Sequence, residues 1–305
     1  TLDNWNPKDP TPCSWTGVQC NPFSQQVVGL DLSAASLLGD LAFQDPPLGA
    51  LTSLQRLQLA DNLFSGSIPD SLSSIRSLQV LELANNDLDG IIPPTLFSNL
   101  PSLATVDLSD NTLSGPLPQD VSAMQSLLSL DVSGNRLEGP LPDNLSQLRQ
   151  VSQLVLDGNK GLSGSLSPAV LGSLPSLQVI SARGCSFSGF LPPALGYAPR
   201  LQSLDLGGNQ LAGGIPPTWG QMGSLTSLVM NGNQLSESIP SALNGLSALQ
   251  ATSDGQSDVA GDGRLLRRLK MGVRIELNWH HPSPLLLNPS PPLAPPPCLP
   301  VCMLF

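Results

Sequence analysis

Residue types able to do acid–base or nucleophilic chemistry are scarce in this 305-residue chain, and they sit where a folded body has least use for them. Both histidines, His280 and His281, fall near the C-terminal end, beside a proline-rich stretch that begins at Pro282. General acid–base or nucleophilic catalysis draws mostly on a positioned His or Cys or on a carboxylate of raised pKa. The first 250 residues contain no histidine, no phosphate-cradling glycine loop with its lysine and no kinase catalytic-loop signature. The expectation is a protein that is not an enzyme and carries no cofactor. Cys298 and Cys302 could pair or join His280 and His281, but their spacing matches no standard zinc site, so no metal is expected.

What the chain does carry at regular intervals is charge. The series Asp31, Gln58, Glu82, Asp107, Asp131, Val155, Ser181, Asp205 and Val229 is acidic at five of nine places, with Arg56, Asp61, Asp110, Asp157 and Arg183 beside it. A row of carboxylates suits binding of a basic protein or peptide more than turnover. The candidate ligand-binding residues are therefore Arg56, Gln58, Glu82, Asp107, Asp131, Asp157, Arg183 and Asp205.

The intervals come from a repeat. Leu54, Leu57, Leu59, Asn62, Phe64, Gly66, Ile68 and Pro69 return as Leu78, Leu81, Leu83, Asn86, Leu88, Gly90, Ile92 and Pro93. Nine copies, marked at Ala35, Asn62, Asn86, Asn111, Asn135, Asn159, Cys185, Asn209 and Asn233, follow at spacings of 27, 24, 25, 24, 24, 26, 24 and 24. Each copy is a unit that buries its apolar face only against its neighbours, so the chain is expected to be an α/β leucine-rich-repeat solenoid, right-handed, of about nine repeats. In the LxxLxL part apolar residues alternate with polar ones, the pattern of a strand buried on one face. Nine such strands stacked in parallel at about 4.8 Å make a concave sheet roughly 40 Å long, on which the acidic series points outward.

The asparagine column is a structural ladder. A carboxamide both donates and accepts, so Asn62, Asn86, Asn111, Asn135, Asn159, Asn209 and Asn233 can meet the backbone groups of successive turns, an internal one such as Asn111 serving the turn on each side. Cys185 stands in as a weak donor and Ala35 as none. Four residues past the column lies a glycine and three further on a proline. Gly164 is displaced by one residue, and Ser167 and Glu237 break the pattern, marking the sixth and ninth copies as the less regular ones.

The segments FSGSIP, LDGIIP, LSGPLP, LEGPLP and LAGGIP resemble the plant-type leucine-rich repeat of receptor-like kinases, receptor-like proteins and polygalacturonase-inhibiting proteins. WNPKDPTPCSWTGVQC, residues 5–20, is similar to the end of that family's N-terminal cap. The resemblance implies a disulfide between Cys13 and Cys20, with two reduced thiols as the alternative, and an oxidising compartment. The chain divides into a partial cap over 1–26, a solenoid over 27–250 and a tail of low order over 251–305, because the period stops there: Ser257 stands where the next asparagine is due, and Thr252 and Asp254 stand where apolar strand residues are due. The resemblance also implies a non-catalytic recognition module, secreted or at the cell surface, binding a protein or peptide on its concave face. The alternatives are the detached ectodomain of a receptor-like kinase and an inhibitor of a cell-wall-degrading enzyme.

Residues 1–250 hold 8 Lys and Arg against 19 Asp and Glu, a net of −11, which excludes nucleic acid and anionic lipid as partners of the body. No apolar run reaches 18 residues, so no membrane span is expected in this chain. Asn144-Leu145-Ser146 is the one N-glycosylation sequon, expected on the outer side of its coil. The tail contains a basic amphipathic stretch, RLLRRLKMGVRIELNW at 264–279, suited to a membrane surface or a partner, or to covering the last coil.

Overall fold

The computed structural model describes residues 2–246 apart from 7, 43–46, 167–170, 172–173 and 237–239. Ser167, Glu237 and the whole tail lie outside the described residues, so the expectations attached to them stay with the sequence.

The strand prediction holds coil by coil. Val27–Asp31, Arg56–Gln58, Val80–Glu82, Thr105–Asp107, Ser129–Asp131, Gln153–Val155, Val179–Ser181, Ser203–Asp205 and Ser227–Val229 pair in parallel, in that order. Their middle leucines, valine and isoleucine face inward, and in one coil Leu54, Leu57, Leu59, Phe64, Ile68, Leu72 and Ile75 are all 2% exposed or less. Burying each such side chain contributes about 1.5–3 kcal/mol, and only stacked coils supply the cover.

A tenth strand, Val18–Cys20, closes the N-terminal edge by pairing antiparallel with Val27–Asp31. An exposed sheet edge invites pairing with other chains, and the cap removes that hazard. Cys13 and Cys20 are bonded to each other, with their Cα atoms 5.5 Å apart. Trp5 and Trp15 stack at 4.8 Å and donate to the Thr16 carbonyl and the Asp9 carboxylate. Gly17 has φ +80°, and a β-carbon there would run into the Asp31 carbonyl, which is why the cap needs glycine where it crosses the first coil.

The repeat pattern gives one sheet, and the structure has two smaller ones beside it. The residues after each asparagine, marked in the sequence by the glycine and proline that follow the column, form lateral strands: Leu38–Asp40, Leu63–Ser67 and Asp87–Asp89 in one group, Ser114–Gly115 through Gln234–Leu235 in another. Glycines four past the column adopt positive φ, 143° at Gly39 in the first coil and between 73° at Gly90 and 81° at Gly189 in the others, and let this segment turn while its amides pair with the next coil. Past the proline most coils make a 3-10 turn. The coil from Asn86 to Asn111, one residue longer, has room for the α-helix Pro94–Asn99.

The asparagine ladder exists, but it is one-sided. Asn111 Nδ2 donates to Leu83 O at 3.0 Å in the preceding coil and to Leu108 O and Ser109 O in its own. Its Oδ1 accepts from Leu88 N at 3.0 Å, also in the preceding coil. Asn233 does the same with Leu206 O and Leu211 N. The expectation that an internal asparagine serves both neighbours is corrected: each one ties its coil backwards only.

One joint departs from this scheme. Cys185 Sγ donates to Leu156 O at 3.4 Å but offers no oxygen to the coil before it. The amide that would need one is Leu162 N, and it bonds instead to Asn159 O at 3.0 Å within its own coil. The extra residue between Asn159 and Leu162 makes that turn. It is the same insertion that displaces Gly164.

Candidate functional site

The concave row predicted from sequence is a row in space. Asp31 pairs across to Gln58, Gln58 to Glu82, Glu82 to Asp107, Asp107 to Asp131, Asp131 to Val155, and on through Ser181 and Asp205 to Val229. Strand spacing puts neighbours about 4.8 Å apart. Arg56 stands in the adjacent row with Val80, Thr105 and Ser129, while Asp157 and Arg183 lie two residues beyond the ends of their strands, Val155 and Ser181. All eight predicted residues therefore share the concave side.

The carboxylates do more than face a ligand. Asp107 Oδ1 accepts from Ser109 N at 3.0 Å and Oγ at 2.6 Å, and Asp131 Oδ1 does the same with Ser133 at 2.9 and 2.6 Å. Asp157 accepts from Ser181 Oγ and from Arg183 N at 2.6 Å. Glu82 accepts from Gln58 Nε2 at 2.8 Å. These bonds fix the turn out of each strand, so the row is half-buried and part of the framework. The expectation that it simply faces solvent is corrected.

Burial pushes the Asp131 carboxyl above its ordinary value of 3.8. Its bonds to Ser133 oppose that shift, and the charges of Asp107 and Asp157 add to it. Farther along, Arg183 Nη1 approaches Asp205 Oδ2 at 3.8 Å with both side chains partly in solvent. Arg56 donates to Gln19 of the cap, so both predicted arginines are engaged.

Sequence reasoning placed Val155 in the row but missed the rest of the apolar element of this face. Val80 and Val179 also point outward between the polar residues, and Leu128 at its margin is 44% exposed. The signal was there, because these positions follow from the same strand alternation that placed the acids.

Asn144 sits on the convex side, half-buried. Its Nδ2 donates to Gln119 O at 2.6 Å and Ser122 Oγ at 3.1 Å in the preceding coil. A sugar on that nitrogen would displace one of these bonds. Cys185 is buried, and burial pushes its thiol up to about 11.

Comparison with known proteins agrees with the repeat architecture and the N-terminal cap. Family models for the leucine-rich repeat match residues 53–75, 77–99, 91–137, 176–198, 200–222 and 224–246, and the leucine-rich repeat N-terminal domain matches 1–21. A putative leucine-rich repeat receptor-like serine/threonine-protein kinase of Arabidopsis thaliana is 42% identical over 106 residues, 35% of this chain and 10% of the relative. The ectodomain of the Arabidopsis thaliana receptor kinase GASSHO1/SCHENGEN3, solved with CASPARIAN STRIP INTEGRITY FACTOR 2, superposes with a TM-score of 0.78 at 34% identity, over 82% of this chain and 30% of that one. The Arabidopsis receptor kinase HAESA, with the peptide hormone IDA and the co-receptor SERK1, gives 0.74 at 35%, over 82% and 41%. A plant ice-binding protein gives 0.68 at 28%, over 83% and 80%. The chain thus spans about a tenth of the length of the curated relatives it matches and under half of the receptor structures.

This chain is a plant-type leucine-rich-repeat protein.

Proposed function

We propose that the chain is a non-catalytic recognition module, secreted or at the cell surface, that binds a basic protein or peptide on its concave face. The observation that supports this most directly is the unbroken row Glu82, Asp107 and Asp131 on three consecutive strands, with no ion pair to any of the three among the described residues. Three carboxylates at ~5 Å spacing raise the local field and draw in a cation. The likeness to receptor ectodomains solved with CASPARIAN STRIP INTEGRITY FACTOR 2 and with a peptide hormone supports the same reading.

The test immobilises the full chain and measures association of a lysine- and arginine-rich peptide and an acidic control across a salt series. Only the basic peptide should bind, with an on-rate that falls as salt rises and falls again in the E82Q/D107N/D131N triple variant. Indifference to both salt and variant would move the site off this face. In one form of this reading the chain is the ectodomain of a receptor-like kinase, favoured by the kinase names of its relatives, and transcript sequence flanking this segment tests it. An inhibitor of a cell-wall-degrading enzyme is tested by assay against pectin-degrading enzymes.

A further inference from the structure

We propose that the concave face is occupied within the same chain by the basic segment 264–274, which acts as a built-in competitor for the ligand. The proposal rests on the reading that the concave face is the binding site, and it names the face's first occupant.

Three observations carry it. The first is chemical match. The face alternates carboxylates with exposed or half-buried aliphatics, Glu82, Asp107 and Asp131 beside Val80, Leu128 and Val155. Residues 264–274, RLLRRLKMGVR, carry five basic side chains and no acidic one, interleaved with Leu265, Leu266, Leu269, Met271 and Val273. Charge and apolar pattern are complementary on both counts.

The second is imbalance. The body's net −11 has no counterweight within residues 1–250, whereas 264–274 holds five of the chain's 13 Lys and Arg. Charges brought within a Debye length, about 8 Å at physiological salt, interact before screening removes them.

The third is reach. Leu246 stands where Met222 stands, five residues before a concave strand begins at Ser227. From Val229 to Glu82 is six strand steps, roughly 29 Å. The 17 residues from 247 to 263, including the Gly- and Asp-rich DGQSDVAGDG, can extend to about 60 Å. A tethered segment meets its site at an effective concentration on the order of millimolar, so contacts too weak between separate molecules become populated.

The experiment uses the full chain and a zero-length carbodiimide coupling that joins an amine to a carboxylate in contact. At low salt and low protein concentration, peptide mapping should find Lys270 joined to Glu82, Asp107 or Asp131 within one molecule, and the yield should fall several-fold in 0.5 M salt. Arg267→Glu with Arg268→Glu keeps Lys270 reactive, leaves the solenoid untouched and should abolish the link. The same variant should bind the added basic peptide severalfold faster than the unmodified chain. No link to these carboxylates, a link formed only between differently labelled copies, or a link unmoved by the double variant would each overturn the proposal. Because binding of the added peptide is measured separately, its presence without the cross-link sinks the competitor and leaves the concave site, while its absence in the Arg267→Glu/Arg268→Glu variant, whose own segment no longer competes, sinks the site itself.

Discussion

At the joint between the coils of Asn86 and Asn111, the amide of Leu88 reaches forward to a side-chain oxygen of the next coil. At the joint between Asn159 and Cys185, the amide of Leu162 turns back to its own coil and the next side chain supplies only a thiol donor. The same backbone need is met by a side chain in one place and by an inserted residue in the other. The comparison teaches that a departure from the repeat, here the cysteine, cannot be judged alone: its partner is an insertion more than 20 residues earlier.

The sharpest way to break the comparison is to truncate both side chains. Asn111→Ala strands the Leu88 amide in the interior and takes one of two donors from each of the Leu83, Leu108 and Ser109 carbonyls, which Asn86, Asn135 and the Asn85 amide still serve, and should cost up to about 3 kcal/mol. Cys185→Ala loses a weak donor and little else, roughly 1 kcal/mol. Denaturant midpoints measure both, and equal losses would mean the two joints are alike after all. Asn233→Ala makes the same backward bonds as Asn111 but is less buried, so its loss should fall between the two.

A double-mutant cycle sharpens the point. Cys185→Asn, which restores the repeat consensus, should destabilise by about 1–3 kcal/mol, because its oxygen enters a buried place where the Leu162 amide is already taken. With Gly161 deleted, the same substitution should stabilise. A cycle with no change of sign would show that insertion and cysteine are unrelated.

Next in size is reactivity. With its thiol pushed up to about 11 by burial, Cys185 has almost no thiolate near neutral pH. Alkylation of the native protein followed by peptide mapping should leave it unmodified, and unfolding should expose it. Labelling of Cys185 in the folded protein would show that this joint is looser than the regular ones.

The smallest effect is electrostatic. Asp131 has a raised pKa in the folded state, so as pH falls the native carboxyl binds its proton before the unfolded chain does. Wild type should therefore gain stability relative to Asp131→Asn as pH drops through that raised value, with the gain complete below 3.8 and absent at neutral pH. Urea unfolding of both proteins across that range measures the difference. A relative gain on the alkaline side would reverse the assigned cause.

Much of this was legible because it repeats. The inward leucines, the asparagine column and the outward acidic row each recur at one position of a 24-residue unit, so strand alternation sorted them without coordinates. The lateral sheets were not legible, since glycine and proline in the LxGxIP segment read as turn residues and their pairing depends on amides rather than side chains. The direction of the ladder was hidden for a related reason: a carboxamide's two ends look alike in a sequence, and only the neighbouring coil decides which carbonyl each one meets. The sequon at Asn144 is three residues long, whereas the partners of its nitrogen, Gln119 and Ser122, come from another coil. The double duty of Asp107 and Asp131 could have been read from the serine two residues after each.

The one-sided ladder gives the molecule a time order. A coil leaving the ribosome carries the side chain that completes the coil made before it, while its own amides, such as those of Leu83 and Leu88, wait for acceptors on the coil that follows. Growth from the capped N-terminal end can then advance as a ratchet, each asparagine locking what is already in place, so that the unfinished part of the chain is at any moment one coil deep.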